Sequence, residues 1–234
     1  MTALLAIDTA TDALSIALQT AGGLRVSHEV APRRHQQELF RRLHALAGEA
    51  LPRLGLQAVA YGCGPGSFTG LRIAASCAQG LAFSLAIPAI GLSTLETQAR
   101  TLLRRESLPP RCLLLSTIDA RMGEIYAACY RRDGEELTLI GEVQAAVASA
   151  LLRPPQAEPG LPLVALGSGC AALAGAAIDV AAAFPDTRPE AQDMLAAATA
   201  ALAAGNTQAP GVVCPLYLQG RGGWKTVAEQ GRGA

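Results

Sequence analysis

The feature that most constrains this chain is a glycine-rich stretch at residues 61–72, which reads Tyr-Gly-Cys-Gly-Pro-Gly-Ser-Phe-Thr-Gly-Leu-Arg. An apolar, strand-like run (58–61) precedes this glycine loop, and a helix-like run of mostly small residues (71–86) follows it. A strand that enters a helix through glycines is typical of α/β proteins that hold phosphates with backbone N–H groups and the helix dipole. The chain is therefore predicted to contain a turn shaped like a phosphate loop.

The glycine loop nevertheless departs from the common phosphate-binding motifs. A P-loop requires Lys and then Ser or Thr after its last glycine, whereas Gly70 is followed by leucine. A dinucleotide-binding turn requires G-x-G-x-x-G, whereas the first three glycines here alternate with single residues (62–66). The sequence thus predicts the shape of a phosphate loop without its usual chemistry.

Composition and charge exclude several classes of protein. The 19 basic and 19 acidic residues give a formal net charge of zero, whereas a protein that grips nucleic acid unaided usually has a basic excess. No apolar run is long enough to span a bilayer and no signal peptide is recognisable, so we expect a cytoplasmic protein. The six cysteines form no C-x-x-C pair and are expected to be reduced.

The chain of 234 residues is long enough for one large domain or two small ones, and its pattern favours two similar halves. Three strands with an acidic first turn appear twice, near residues 4–30 and 112–143. The fold class is therefore predicted to be α/β. The other predicted elements are helix 35–50, strand 58–62, helix 71–86, strand 89–92, helix 94–105, helix 144–152, strand 163–167, and helices near 169–177 and 190–204.

Two acidic turns carry candidate phosphate-contacting residues. Asp8, at the end of the first strand, forms with Thr9 a polar turn that could hold a metal–phosphate group, and Asp119 with Arg121 occupies the matching place in the second half. The structural alternatives are a turn residue that bonds its own backbone and an exposed hairpin tip whose charges pair for little energy. The set is predicted to be a vestigial phosphate loop, and its members are Asp8, Thr9, Gly64, Gly66, Ser67, Thr69, Gly70, Asp119 and Arg121.

No activated nucleophile or metal site can be argued from the residues. Ser67 lacks a G-x-S-x-G elbow, and Ser67 and Thr69 either cap the following helix or touch an oxyanion. The three histidines include no pair four residues apart. The apolar stripe of helix 35–50 indicates either a core face or a contact with another chain.

Four segments together resemble the bacterial TsaB (YeaZ) family. They are Leu-Ala-Ile-Asp-Thr-Ala-Thr-Asp (5–12), the glycine loop with its flanks (60–73), Ile-Asp-Ala-Arg-Met-Gly-Glu-Ile-Tyr (118–126) and Pro-Leu-Tyr-Leu (215–218). The resemblance runs from residue 3 to about residue 227, and its second and third segments are highly specific. Cys63 is a departure, because relatives often carry a longer or polar residue there.

The resemblance implies an actin/Hsp70/sugar-kinase-like (ASKHA) fold of two similar subdomains, residues 1–107 and 108–234, with 212–234 as a tail that packs back on the first. It also implies a non-catalytic partner of the TsaD transferase, required with the ATPase TsaE to place threonylcarbamoyl on the adenosine next to the anticodon. ATP and metal are then expected on the partner subunits, with no cofactor bound by this chain alone. The chain is then expected to contact tRNA only indirectly, through the complex.

The resemblance further implies where a partner would bind. TsaD-like proteins hold metal with a His-x-x-x-His pair on the first helix, whereas here His35 is followed four residues later by Leu39, which cannot ligate. In the family, this helix and the one after the glycine loop meet TsaD. By transfer, the predicted partner-binding residues are His35, Leu39, Leu43, Leu46, Ile73 and Cys77.

Other interpretations of the sequence stand beside the scaffold. A self-sufficient ATP-dependent phosphotransferase of the sugar-kinase type would use Asp8, Asp119 and the glycine loop, and a protease is a remote alternative without a supporting triad or metal pair. An exposed apolar stripe would pair two copies of the chain as a homodimer when the partner is absent. A local basic patch at Arg221 and Lys225 would be the place for direct tRNA contact.

Overall fold

The computed structural model describes residues 2–151, 158–176 and 178–218 of the chain. The first half contains β1 (Leu4–Asp8), β2 (Ala13–Thr20), β3 (Gly23–Val30), α1 (His35–Ala47), β4 (Ala58–Gly64), α2 (Phe68–Leu85), β5 (Ala89–Ser93) and α3 (Thr94–Arg105). The second half contains β6 (Arg111–Arg121), β7 (Glu124–Asp133), β8 (Glu136–Val147), β9 (Leu163–Leu166), β10 (Ala182–Phe184) and α4 (Leu195–Ala203).

The two halves build the same sheet. The first sheet has the strand order β3-β2-β1-β4-β5, in which β1 to β3 form an antiparallel meander and β4 and β5 run parallel to β1. The second sheet has the order β8-β7-β6-β9-β10 with the same directions. The predicted duplication is confirmed, and the chain has an α/β fold built on two mixed five-stranded sheets of the same topology.

Helices cover both faces of the first sheet, which is why all five residues of β1 are buried. Leu5 and Ile7 point to the α1/α2 side and pack with Leu39. Leu4 and Ala6 point to the opposite side, where α4 covers them. This alternation follows from the two-residue period of a strand, and it fixes which face of α1 and α2 remains free.

Two predicted helices differ from the structure. Residues 144–147 extend β8, because Gln144 and Ala145 pair with β7, and these ladder contacts override the helix propensity of the alanines. A single 3₁₀ turn (Ala148–Ala150) follows, and residue 152 lies outside the described residues. The segment predicted as helix 169–177 is a 3₁₀ helix at Ser168–Gly175, with residue 177 also outside the described part.

The ends of the other helices differ in smaller ways. α1 ends at Ala47, and a 3₁₀ helix that contains Pro52 completes the segment predicted as helix up to residue 50. α4 begins only at Leu195, after a 3₁₀ turn at Ala191–Met194. In the described part of the chain, no helix is long and apolar enough to cross a membrane.

The described end of the chain returns to the first sheet. Gln208 forms a bridge with Ala89 on β5, and the Leu216 N–H donates to the Cys63 carbonyl at 2.7 Å. The Tyr61 hydroxyl reaches the Cys214 carbonyl at 3.0 Å. Residues 208–217 therefore lie along α2, next to the glycine loop.

A buried polar strut joins α3 to the segment before α4. The Thr101 hydroxyl donates to Asp193 Oδ2 at 2.8 Å and accepts from the Glu190 N–H at 3.0 Å. Arg104 donates to Asp193 Oδ1 at 2.7 Å. The carboxylates of Asp193 and Glu190 are nearly buried, and both pair with Arg104. Their charges are therefore stabilised by protein groups rather than by water.

We expect Asp193→Ala to lower the free energy of unfolding by about 2 kcal/mol or more, because Thr101 and Arg104 then lose a buried acceptor. Urea denaturation measures the change. The control is Asp133→Ala, whose carboxylate lies exposed at 4.0 Å from Arg111 and should contribute less than about 0.5 kcal/mol. Equal effects of the two substitutions would contradict this account of the strut.

Candidate functional site

The glycine loop packs directly on the turn between β1 and β2. The Ser67 N–H donates to the Ala10 carbonyl at 2.7 Å, and the Thr9 hydroxyl donates to the Gly70 carbonyl at 2.7 Å. The Ser67 side chain accepts from the Gly70 N–H at 3.4 Å, which confirms the predicted cap of α2. Two N–H groups that a bound phosphate would use are therefore engaged within the chain.

The glycines of this loop are required by the chain's own backbone. A Cβ at Gly70 would lie 1.9 Å from the Thr9 carbonyl oxygen, and a Cβ at Gly66 would lie 2.5 Å from the Ala10 carbonyl oxygen. Such distances are far below van der Waals contact, so only glycine allows the two segments to meet. Thr9 and Ala10 therefore pack directly against the backbone of the glycine loop.

Asp8 lies under this contact and is fully buried. Its Oδ1 accepts from the Ala10 N–H at 2.9 Å, while Oδ2 has no hydrogen-bond partner among the described residues. Gly62 covers Oδ2 so closely that a Cβ there would lie 2.0 Å away. Burial raises the pKa of Asp8 to about 7, and the bond from Ala10 opposes that shift. The carboxyl group is therefore largely protonated below neutral pH.

The second acidic turn is different from the first. Asp119 accepts from the Arg121 N–H at 2.8 Å, and its other oxygen pairs with the Arg121 guanidinium at 3.2 Å. Arg121 is 86% exposed, so this pair is a surface contact at a hairpin tip. The phosphate-facing role of Asp119 and Arg121 stays a prediction, and the arrangement matches the structural alternative.

An open groove of about 430 Å³ lies between α1 and α2. We call it the α1/α2 groove. Phe40 and Phe68 on its rim are 62% and 49% exposed, respectively, whereas Leu39 and Cys77 form its buried floor. Exposed aromatic side chains around an apolar floor are typical of protein–protein contact surfaces. The full lining is Gln36, Leu39, Phe40, Phe68, Thr69, Arg72, Ile73, Ser76 and Cys77.

Burial refines the predicted partner-binding set. His35 is buried and its Nε2 lies 3.1 Å from the Ala13 carbonyl, so it anchors the start of α1 on β2 and presents no ring to a partner. Leu43 is likewise buried in the core of the first sheet, where α1 packs. Leu46 and Ile73 are only partly buried. Whether these residues contact another chain stays a prediction.

Sequence reasoning missed the residues that shape the rim of the groove. The Arg72 guanidinium lies 3.6 Å from the centre of the Phe68 ring, and its Nε donates to the Tyr217 hydroxyl at 2.9 Å. Phe40 was visible only as a residue beside the apolar stripe of α1. No periodic pattern links Arg72 to Tyr217, which is 145 residues away in sequence.

Metal ligation finds no support in this geometry. The described residues include no group of three or more His, Cys, Asp or Glu side chains close enough to hold a metal ion. His35 lies against a backbone carbonyl, and burial lowers the pKa of its ring. Arg221 and Lys225, the predicted basic patch, lie outside the described residues.

Comparison with known proteins assigns the chain to a family. The family model described as "TsaD: tRNA N6-adenosine threonylcarbamoyltransferase" matches residues 13–223. The tRNA threonylcarbamoyladenosine biosynthesis protein TsaB of Escherichia coli is 35% identical over 95% of this chain and 96% of its own length. The chain belongs to the TsaB family.

Other TsaB relatives agree with this placement. The TsaB of Haemophilus influenzae is 39% identical over 53% of this chain and 51% of its own length. The solved structure of YeaZ from Pseudomonas aeruginosa superposes with a TM-score of 0.84 at 33% identity, over 93% of this chain and all of that one. The resemblance seen in the four sequence segments is confirmed.

We expect two Gly→Ala substitutions on the same helix to have opposite effects. Gly70→Ala should lower the free energy of unfolding by roughly 3 kcal/mol, because its Cβ would overlap the Thr9 carbonyl. Gly80→Ala should raise it by roughly 0.5–1 kcal/mol, because this exposed helical position has open space around it. Chemical denaturation of both variants is the measurement. A Gly70→Ala variant as stable as the wild type would contradict the close contact.

We expect Asp8→Asn to remove a pH dependence of stability. Folded Asp8 keeps its proton up to about pH 7, whereas unfolded Asp8 loses it near its ordinary pKa of 3.8, so this group's contribution is lost as the pH rises between those values. Relative to Asp8→Asn, the wild type should lose roughly 1 kcal/mol per pH unit in that window and no more above it. Urea denaturation of both proteins at several pH values tests this, and a pH-independent difference would contradict it.

Proposed function

We propose that this chain is a non-catalytic subunit that binds and activates a TsaD-type transferase. The two would act with a TsaE-type ATPase to form threonylcarbamoyladenosine, next to the anticodon, in tRNAs that read codons beginning with adenine. The pathway rests on relatives named as tRNA threonylcarbamoyladenosine biosynthesis protein TsaB. The non-catalytic role rests on one observation, the closed contact of Thr9 and Ala10 with the glycine loop.

The closed contact argues against nucleotide chemistry in this chain. A phosphate-binding loop needs free N–H groups and room for the anion, and here Thr9 and Ala10 occupy the backbone surface of Gly66 and Gly70. Asp8, the carboxylate that would hold a metal–phosphate group, is buried beneath this contact. ATP and metal are therefore assigned to the partner subunits.

The α1/α2 groove supplies the binding function in this proposal. It lies between α1 and α2, which pack on one face of the first sheet, and its rim exposes Phe40 and Phe68. Covering such aromatics is favourable, because each buries a large apolar area. The same exposure would pair two copies of the chain when the transferase is absent.

The proposed role also indicates the cellular compartment of the protein and how tRNA is bound. We place the chain in the cytoplasm, whose reducing environment keeps cysteines as thiols, and Cys63, Cys77, Cys112, Cys170 and Cys214 form no disulfide in the structure. With 19 basic and 19 acidic residues, the chain has no net charge to attract RNA, so we assign tRNA binding to the assembled complex.

Reconstitution tests the proposed function. The purified chain alone should transfer no threonylcarbamoyl group, whereas its addition to the transferase, the TsaE-type ATPase, ATP and tRNA should restore the reaction. Full activity without this chain would overturn the proposal. Calorimetric titration of the isolated chain with Mg-ATP tests the phosphotransferase alternative. Micromolar binding of Mg-ATP would favour that alternative.

We expect Phe40→Ser to weaken binding to the transferase at least roughly tenfold, because an exposed aromatic on the groove rim is lost while the fold is left intact. The control is Leu139→Ser, which removes an exposed apolar side chain from β8 in the other sheet. Calorimetric titration of the transferase with each variant is the measurement. Equal affinities of the two variants would show that the groove is not the contact surface.

A further inference from the structure

Arg72 is held in one orientation at the rim of the α1/α2 groove. Its guanidinium stacks on the Phe68 ring at 3.6 Å from the ring centre, and the Tyr217 ring, 5.3 Å from that of Phe68, lies beside this pair with its centre 5.8 Å from the guanidinium. The Tyr217 hydroxyl accepts from Nε at 2.9 Å. A planar cation fixed by two rings and one hydrogen bond has already lost most of the rotamer freedom that binding would otherwise cost.

The two outer nitrogens of this guanidinium, Nη1 and Nη2, remain available to donate hydrogen bonds to a partner. The Tyr217 bond uses Nε, and among the described residues no acidic side chain pairs with Arg72. Glu38, the acidic residue of α1, is paired with Arg41 and Arg42. The pair Nη1 and Nη2 therefore presents the fork that matches a carboxylate.

We propose that Arg72 is the charged anchor of the α1/α2 groove, and that the groove takes an amphipathic segment of the partner with Asp or Glu beside its apolar side chains. This inference rests on the proposed function and names the chemistry of its partner. The apolar side chains would lie on Leu39 and Cys77, and the carboxylate would meet Nη1 and Nη2. An aromatic and Arg pair at the rim of an apolar floor is the composition of an interface hot spot.

The charges around the groove favour a carboxylate over nucleic acid. Arg72 is the one basic residue of the groove lining, and the other polar members are the neutral Gln36, Thr69 and Ser76. An RNA backbone would need several cations along its phosphates, whereas one carboxylate needs one fork. The occupant is therefore inferred to be a protein segment.

Through Tyr217, the C-terminal segment contributes to the rim of the α1/α2 groove. Residues 213–217 lie along α2, with Val213 buried in the core and the Leu216 N–H bonded to Cys63. That path brings the Tyr217 hydroxyl to Arg72, so Tyr217 is a positioning residue. Tyr217→Phe would keep the ring and remove the hydrogen bond, which separates packing from orientation.

Binding of Arg72 variants to the purified TsaD-type paralogue tests this inference. Arg72→Gln should weaken the complex roughly 10- to 100-fold, and Arg72→Glu should weaken it further by repulsion. Tyr217→Phe should have a smaller effect, of roughly threefold. The affinity of Arg72→Gln should also vary less with salt than that of the wild type, since one interfacial ion pair is gone. Arg111→Gln, which removes an exposed charge from the second sheet, should bind like the wild type.

Each outcome has a distinct meaning. Restored binding of Arg72→Glu by an Asp→Lys or Glu→Lys variant of the paralogue would support the inference most directly. Wild-type affinity of Arg72→Gln, together with lost binding of Phe40→Ser, would overturn the anchor and leave the proposed function standing. Absence of any complex with the wild-type chain would overturn both. Weaker self-association of Arg72→Gln with unchanged paralogue binding would make a second copy the occupant, which also overturns the inference.

Discussion

The contact between the β1–β2 turn and the glycine loop is the interaction on which the rest of this structure depends. Backbone meets backbone there, with Thr9 against Gly70 and Ala10 against Gly66. The contact fixes where α2 begins and buries Asp8 beneath it. The same contact engages the Ser67 N–H with the Ala10 carbonyl and the Gly70 carbonyl with the Thr9 hydroxyl, so one close approach orders both turns.

The position of α2 determines what the chain can offer to a partner. Because the glycine loop holds the start of α2 on β1, the first turns of α2 lie beside α1, and Phe68 and Arg72 face the groove between them. The returning C-terminal segment then orients Arg72 through Tyr217. In the proposed function, the glycine loop is thus the base of the protein-contact surface.

Much of the fold was predictable from the sequence, because the two meanders and their acidic turns repeat in pattern. The end of β8 was not, since an alanine-rich run at 144–147 has helical propensity and only its pairing with β7 makes it a strand. The stripe of α1 was recognised, but the sequence could not tell the core residue Leu43 from the exposed Phe40. The Arg72–Tyr217 bond joins distant segments, and no local pattern encodes such a contact.

We propose that the glycine loop is closed to nucleotides and that the α1/α2 groove is open to a protein partner. Hydrogen–deuterium exchange tests both statements in one protein, with the TsaD-type paralogue and with Mg-ATP added separately. We expect the paralogue to slow exchange in α1 and the first half of α2, and Mg-ATP to leave exchange in the glycine loop unchanged. Protection of the glycine loop by Mg-ATP alone, or protection by the paralogue confined to the second sheet, would contradict it.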